Sequence, residues 1–345
     1  MYRSLLLRHL IRTLGAAGLI LSVLFLLSHA IADPDILLQN ALSGRAVSPE
    51  QTAQASALLL HRYGLDAPLF YVGWQQGTGW QWHGWHNQYH TWLVQLLHGN
   101  LGYSYRADAP VTALLGEALR YTLPLTLLAA VLSVILALVV VTAVSTRPVA
   151  RHWVLRLAHV LQGLPLFLVA LGLLLLLANP DALAWFPAFG LGAVDNLADA
   201  WHHPGWFLYQ LALPLISLVL NGFPPLAIQL DGALQQELTR PYVATARAKG
   251  ASAARSVWRH ALRNALIPML TLLTDLLPSI VAGAVVVEVI FALPGMGQLI
   301  TEAAIHQDFP VLLGAVGLVA LVRLLGQVAA DLLYPVIDPR IRAVA

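Results

Sequence analysis

The chain has no cysteine and one lysine among its 345 residues. The first absence excludes disulfides, thiolate metal sites and cysteine nucleophiles. The second excludes a phosphate-binding loop. Such a loop needs Gly-Lys-Ser/Thr, so that the lysine reaches the phosphates. Here Lys249 is followed by Gly250. Charge is scarce as well: 10% of residues are charged against 58% hydrophobic, and mean hydropathy is +0.71. A soluble domain carries roughly 25% charge. This chain cannot cover itself in water, and an all-α integral membrane protein is expected. No paired catalytic constellation stands out, so no catalytic residue is assigned.

Long apolar runs are plentiful. A transmembrane helix needs roughly 20 apolar residues. Six segments qualify, approximately Leu10–Ala32, Tyr121–Ser145, Leu157–Ala178, Trp206–Leu230, Ala265–Phe291 and Val311–Val336. Prolines 165, 214, 224, 225 and 278 fall inside them. Membrane helices tolerate such prolines because neighbours satisfy the freed carbonyls. Arg3–Arg12, the apolar run that follows and its small-residue end "HAIAD" together resemble a secretory signal. The apolar stretch of about 23 residues is longer than a signal core, so a retained helix is expected.

Basic residues set the orientation. Fourteen of the 19 lie before the first span, in the second-to-third and fourth-to-fifth connections, or in the C-terminal tail. The alternate connections, 179–205 and 292–310, carry acidic residues and no Lys or Arg. Both termini are therefore expected in the cytoplasm. The chain divides into 1–32 (first span), 33–120 (an external loop) and 121–345 (a five-helix core). The core includes a cytoplasmic segment at 231–264.

The external loop has 88 residues, too many for a simple connector, and is expected to form a small extracytoplasmic cap. Its stretch 73–92, "GWQQGTGWQWHGWHNQYHTW", holds five Trp and three His. His83, His86, His90 and His98 suit a metal or metal-chelate contact by residue type. A Trp-rich interfacial segment is the simpler reading, and no metal ligand is assigned.

The segment 242–268, "YVATARAKGASAARSVWRHALRNALIP", is different again. Arg247, Lys249, Arg255, Arg259 and Arg263 fall within 17 residues, among alanines that favour helix. Gly250 predicts a turn between two short helices. Arg255, Arg259 and Arg263 recur every four residues and form one stripe. Binding to anionic lipid would explain that stripe. It would not explain the small-residue run "ATARAKGAS", which has almost no apolar anchor. Small side chains let another surface approach, so a docking helix on the cytoplasmic face is expected.

That segment resembles the coupling segment of ABC importer permeases, in which an acidic-Ala-Ala triplet is followed by Gly and later by Ile-Pro. The matches are Ala246, Gly250, Ile267 and Pro268. "TARAKG" and "RHALRNALIP" are closer to the dipeptide/oligopeptide/nickel branch, the DppB/OppB-like permeases. "GLD.P" (Gly64–Pro68), "GNLGYSYR" (Gly99–Arg106), "VVVEVIFALPGMG" (Val285–Gly297), "QDFP" (Gln307–Pro310) and "DLLYPVIDPRIR" (Asp331–Arg342) resemble that branch in order and spacing. There are departures. Ala244 stands at the acidic position, 74–92 looks inserted, and Arg323 is unusual.

The resemblance implies a type I ABC importer permease fold with six transmembrane helices in a bacterial inner membrane. It implies a pore shared with a second homologous permease, two ATP-binding subunits and an extracytoplasmic solute-binding protein. Small peptides or peptide-like solutes are the implied cargo, with nickel or a metal chelate as the alternative. ATP and Mg would be used by the ATPase partners; no cofactor is assigned to this chain, and nucleic acid is not an expected partner. The implied ATPase-coupling residues are Ala244, Thr245, Ala246, Arg247, Lys249 and Gly250. A secondary transporter is a reading from another class. It is disfavoured because the two sets of three spans show no convincing repeat and the 34-residue basic connection would have no role.

Asp275, Glu288, Arg323 and Asp331 fall within the last two spans. Such groups are costly in lipid and face a cavity or a partner. Structural satisfaction within the bundle is the simplest account. As pathway or gate candidates, Asp275 and Arg323 would suit peptide termini. Glu288 would be a gate or an anchor for the turn at Pro294–Gly295. The orientation itself is testable: a reporter fused after Arg342 should be active only as a cytoplasmic reporter, and external activity would overturn the six-span assignment.

Overall fold

The protein is described by a computed structural model covering residues 2–31, 61, 66–75, 79–188, 204–266 and 284–337. In chain order the elements are α1 (Tyr2–Ile31), β1 (Val72–Gln75), β2 (Gly79–Trp82), α2 (Gln88–Leu97) and α3 (Val111–Val144). Next come α4 (Pro148–Gln162), α5 (Leu166–Leu173, continuing as a π-helical turn at Leu174–Ala178), α6 (Pro204–Gln210), α7 (Ala212–Leu238) and α8 (Pro241–Ala248). Then α9 runs through Ala253–Arg255, a π-helical turn at Ser256–Ala261, and Leu262–Ala265. The series ends with α10 (Val285–Ile290), α11 (Met296–Ile305) and α12 (Phe309–Ile337). The antiparallel hairpin β1–β2 is the only sheet among the described residues, beside an isolated bridge between Tyr103 and Pro110.

Among the described residues, α3 and α7 are long and apolar enough to cross a membrane as single helices. The expected second span begins ten residues early: α3 starts at Val111, so residue 120 lies inside a helix. Val111 is fully buried, which extends the helix beyond its apolar run. The expected third span, Leu157–Ala178, needs correction. It is not one helix: α4 and α5 with its π turn are bent by 99°. Pro165 causes the break. It lacks an N–H and disfavours helical backbone at the residue before it. Apolar helix α5 therefore begins at Leu166, and 157–162 belongs to the separate helix α4; the two are apolar and long enough for a crossing only as a bent pair. The expected first and sixth spans fall on α1 and α12, 30 and 29 residues long. Most of the fifth, including Asp275, lies outside the described residues.

By contact the chain forms two compact units, residues 1–2, 119–298 and 325–345, and residues 3–118 and 299–324. The first unit has two apolar clusters. One gathers Ala137, Val141, Phe223, Leu230, Leu234, Val243, Val257 and Ala261. The other gathers Leu125, Ala170, Leu213, Val287, Phe291 and Leu293. Pro224 and Pro225 sit inside α7. Just before them, Gly222 admits Ser133 of α3; a Cβ at 222 would lie 2.8 Å from the Ser133 hydroxyl. A polar clamp joins α4 to α7. Arg151 donates from Nε and Nη2 to the two oxygens of Asp231, each at 2.7 Å. Asp231 is buried, and its hydrogen bonds hold the Arg151 guanidinium above its usual pKa.

The second unit packs α2 against α1. Phe25 stacks on Trp92 at 4.8 Å and meets Tyr89 edge-on at 5.7 Å. The Ser22 and Tyr89 hydroxyls are hydrogen-bonded at 2.8 Å. Early in α12, Gly314 receives Val111, whose Cγ1 would lie 2.6 Å from an added Cβ.

Removing one member of a buried ion pair strands the other. Because Arg151 is part-exposed, Asp231→Ala should destabilise the purified protein by about 1–3 kcal/mol. In detergent unfolding, Arg151→Ala combined with Asp231→Ala should cost less than the sum of the two single changes. Strict additivity would show that the clamp carries no coupling.

Candidate coupling site and the clasps around it

Pro241 opens α8 at a position where its missing N–H costs nothing, since the first helical N–H groups have no intrahelical partner. The helix ends at Lys249 and the chain reverses. Gly250 has φ +86, a left-handed conformation that glycine adopts without Cβ strain. Its N–H donates to Arg247 O at 2.9 Å, and Ala251 N–H donates to Ala246 O at 3.0 Å. These two bonds form a Schellman motif, which satisfies the last carbonyls and stops the helix. Ser252 then caps α9, its hydroxyl accepting from Arg255 N at 3.3 Å. The string "AKGAS" thus reads as a helix end, a reversal and a helix start.

One side chain of α8 is buried. Val243 is fully covered within the cluster of Leu230, Leu234, Val257 and Ala261. A buried Val is worth about 1.5 kcal/mol or more. Ala244, Thr245, Arg247 and Lys249 are exposed and Ala246 half-buried. A second tie lies at the end of the helix pair. Tyr242 donates to Glu237 at the end of α7, and Asn264 of α9 donates to the Tyr242 hydroxyl at 3.0 Å. The helix is therefore anchored on one side to α7 and α9 and exposes Ala244 and Thr245, followed by Arg247 and Lys249, on the other. Arg255, Arg259 and Arg263 are all exposed. Trp258 is exposed and Leu262 buried, so of these two only Leu262 serves the core.

Glu288 is buried, and it binds the turn that follows. Oε1 accepts from the Thr122 hydroxyl at 2.9 Å, and Oε2 accepts from Gly297 N–H at 2.6 Å. Thr122 in turn accepts from Met296 N–H at 2.8 Å. The glycines of "LPGMG" make the approach possible. A Cβ on Gly295 would lie 2.5 Å from the Glu288 carboxyl carbon, and one on Gly297 would lie 2.4 Å from Val285 Cα. Of the two sequence expectations for Glu288, the geometry supports an anchor for the turn. Asp275 lies outside the described residues. Arg323 is placed on α12, with its side chain outside the described set.

A comparable clasp occurs in the unit formed by 3–118 and 299–324. Asp308 is buried and accepts from the Ser104 hydroxyl at 2.5 Å and from Tyr105 N–H at 3.2 Å. Arg106 pairs with Glu302 at 2.8 Å. "GNLGYSYR" and "QDFP", about 200 residues apart in sequence, therefore meet in space. The histidines of the external stretch have separate partners. His90 is bonded to the Tyr71 hydroxyl at 2.9 Å, and the Nδ1 groups of His83 and His98 donate to the Phe70 and Val94 carbonyls. No three His, Asp or Glu gather into a metal-ligating group among the described residues. Sequence reasoning missed Asp231, Thr122 and Asp308 as structural partners. The one available signal was a lone acidic residue at the edge of an apolar run, as at Asp231.

Residues 129–343 match the family described as binding-protein-dependent transport system inner membrane component. The chain belongs to that family. This transport component is 32% identical over 260 residues to the oligopeptide transport system permease protein AppB of Bacillus subtilis, covering 74% of this chain and 79% of that one. It is 32% identical over 316 residues to the di/tripeptide transport system permease protein DppB of Pseudomonas aeruginosa, covering 86% and 87%. The dipeptide transport system permease protein DppB of Escherichia coli K12 is 29% identical over 317 residues, with the same coverage. The transport component is thus a multi-pass inner-membrane permease rather than an enzyme, with the type I ABC permease fold.

The two glycines of these turns should behave differently on substitution. At Gly297 an added Cβ meets backbone; at Gly250 it meets open space. Gly297→Ala should cost roughly 1–3 kcal/mol or more through overpacking. Gly250→Ala should cost about 1 kcal/mol through backbone conformation alone. Membrane yield and thermal unfolding in detergent would rank them, and equal losses would contradict the tight approach at Gly297.

Proposed function

We propose that this permease imports small peptides or peptide-like solutes and shares its pore with a second homologous permease. Two ATP-binding subunits dock on the coupling segments of the permease pair, one of them on α8 and the reversal at Gly250, and an extracytoplasmic binding protein delivers the solute. Both termini then lie in the cytoplasm. The observation that carries the docking role is the exposure of the small residues Ala244 and Thr245 on a helix anchored by Val243, with Arg247 and Lys249 exposed towards its end as charged contacts for a partner. Large side chains on such a face would hold a partner off; small ones let backbone approach backbone. The peptide cargo rests on the relatives, whose names specify oligopeptide, di/tripeptide and dipeptide transport.

In this reading ATP and Mg act in the partner subunits. Closure of the ATPase pair displaces α8. Val243, together with the Tyr242–Glu237–Asn264 tie, passes that displacement to α7 and α9 as a rigid lever. Nucleotide shifts the pore only because it binds the two conformations with different affinity. Glu288 holds the turn at 291–297 and takes no part in solute binding.

Ala244→Trp places a large ring on the exposed face without touching the core. It should leave insertion intact and reduce solute uptake and binding-protein-stimulated ATP hydrolysis by about tenfold, equivalent to roughly 1.4 kcal/mol of docking energy. Because the chain has no cysteine, Thr245→Cys also allows a background-free crosslink to an ATPase subunit. Normal uptake by Ala244→Trp, together with no crosslink from Thr245→Cys, would remove α8 as the docking site.

A further inference from the structure

The hairpin β1–β2 is built inside out for a protein in water. Its register pairs Val72 with Trp82 and Trp74 with Trp80, so these four side chains share one face. They are the exposed ones: Trp74, Trp80 and Trp82 are 65%, 72% and 68% exposed. The opposite face is half-buried and holds Gly73 and Gln81. That face is fixed from below. The His83 ring fills the space over Gly73, where a Cβ would meet Cε1 at 2.5 Å. Tyr71 bonds His90 of α2 and contacts the Tyr89 ring edge-on at 6.0 Å. The hairpin cannot turn over to bury its tryptophans without breaking these contacts.

Two observations identify what covers the tryptophan face. The first is charge. From residue 67 to residue 105 there is no Asp, Glu, Lys or Arg. A surface that receives a soluble protein uses charge to steer and orient it, and this surface has none. It has indole, phenol, imidazole and amide groups, the amphipathic set that settles at a membrane–water boundary.

The second is depth. The helix that carries the hairpin, α2, packs along α1 as far back as Ser22. Ser22 is nine residues from the end of α1 at Ile31. At 1.5 Å per residue that is about 14 Å below the outer end of the helix. Over the same turns α1 directs Leu19, Ile20, Val23 and Leu27 outward, 45% to 66% exposed, as a helix in lipid does. With α1 spanning the membrane and both termini cytoplasmic, as the proposed function has it, this contact places the cap beside α1 at the level of the outer leaflet.

We propose that Val72, Trp74, Trp80 and Trp82 seat in the headgroup–acyl boundary of the outer leaflet, with a phospholipid surface as their partner. The rings lie among the upper acyl carbons, and the indole N–H groups donate to lipid ester or phosphate oxygens. With no charge on the face, the attachment depends on lipid interface area and not on anionic lipid or salt. The cap is then held at fixed depth beside α1, and the Tyr71–His90 tie transmits that position to α2.

The cysteine-free chain allows a direct test. Trp80→Cys and Gln81→Cys, adjacent residues on opposite faces, are each given a nitroxide label. The full chain is reconstituted with its partners in phosphatidylethanolamine–phosphatidylglycerol nanodiscs. Spin relaxation is measured with oxygen, which concentrates in lipid, and with a water-soluble nickel chelate. The label at 80 should favour oxygen several-fold more than the label at 81. That ratio should not change with added binding protein or with the phosphatidylglycerol fraction. A second readout keeps the native residues: shallow bromine-labelled acyl chains should quench the unmodified chain more strongly than the Trp74→Gln, Trp80→Gln, Trp82→Gln triple variant. Equal water access at 80 and 81, with equal quenching of both proteins, would overturn the proposal. So would protection of residue 80 that develops only when binding protein is added, which would assign the face to that protein instead.

Discussion

A carboxylate taken out of water must find donors, and three buried carboxylates determine how this chain is tied together. Each meets at least one donor across a long stretch of sequence. Asp231 takes two bonds from Arg151, Glu288 is bonded to Thr122 and Gly297, and Asp308 is bonded to Ser104 and Tyr105. In a chain with so few charged groups, these fix positions that apolar packing leaves free. Leu against Val tolerates sliding, whereas a carboxylate with two donors at hydrogen-bond distance does not. The apolar clusters supply bulk cohesion, and the carboxylates supply register.

The coupling region follows from the same division of labour. Val243 supplies apolar cohesion to the core cluster, and Tyr242 is bonded to Glu237 and Asn264. The helix between them is short, capped at its end by the Gly250 reversal and bare on its outer side. A short helix fixed on one face and exposed on the other is what the proposed docking role requires. Glu288, by contrast, has its oxygens committed to a turn. Its cost in an apolar setting is offset by the bonds from Thr122 and Gly297.

Several features were legible in the residues alone. Hydropathy marks the runs that become α3, α7 and α12. The glycine in "AKGAS" marks the helix reversal, because an αL residue followed by a serine cap is a local matter. Tertiary structure corrected the readings that treat a run as uniform. Leu157–Ala178 is apolar enough for one span, yet Pro165 divides it, and α4 runs as a separate helix clamped to α7 through Arg151. The apolar run starts at Tyr121, yet the helix starts at Val111, where Val111 and Leu115 are buried.

The sequence by itself determined what depends on neighbours a few residues away: the membrane class, the apolar runs, the short small-residue helix before Gly250 and the turn at Gly250. Only the tertiary structure decided the pairing of Asp231 with Arg151, of Glu288 with Thr122, and of Asp308 with Ser104. Those partners are separated by 80, 166 and 204 residues. It also decided which face of the tryptophan hairpin is exposed. The physical reason is one of range. Helix formation, capping and partition into lipid are set by local sequence. The donor that a buried carboxylate finds depends on which distant helices pack together.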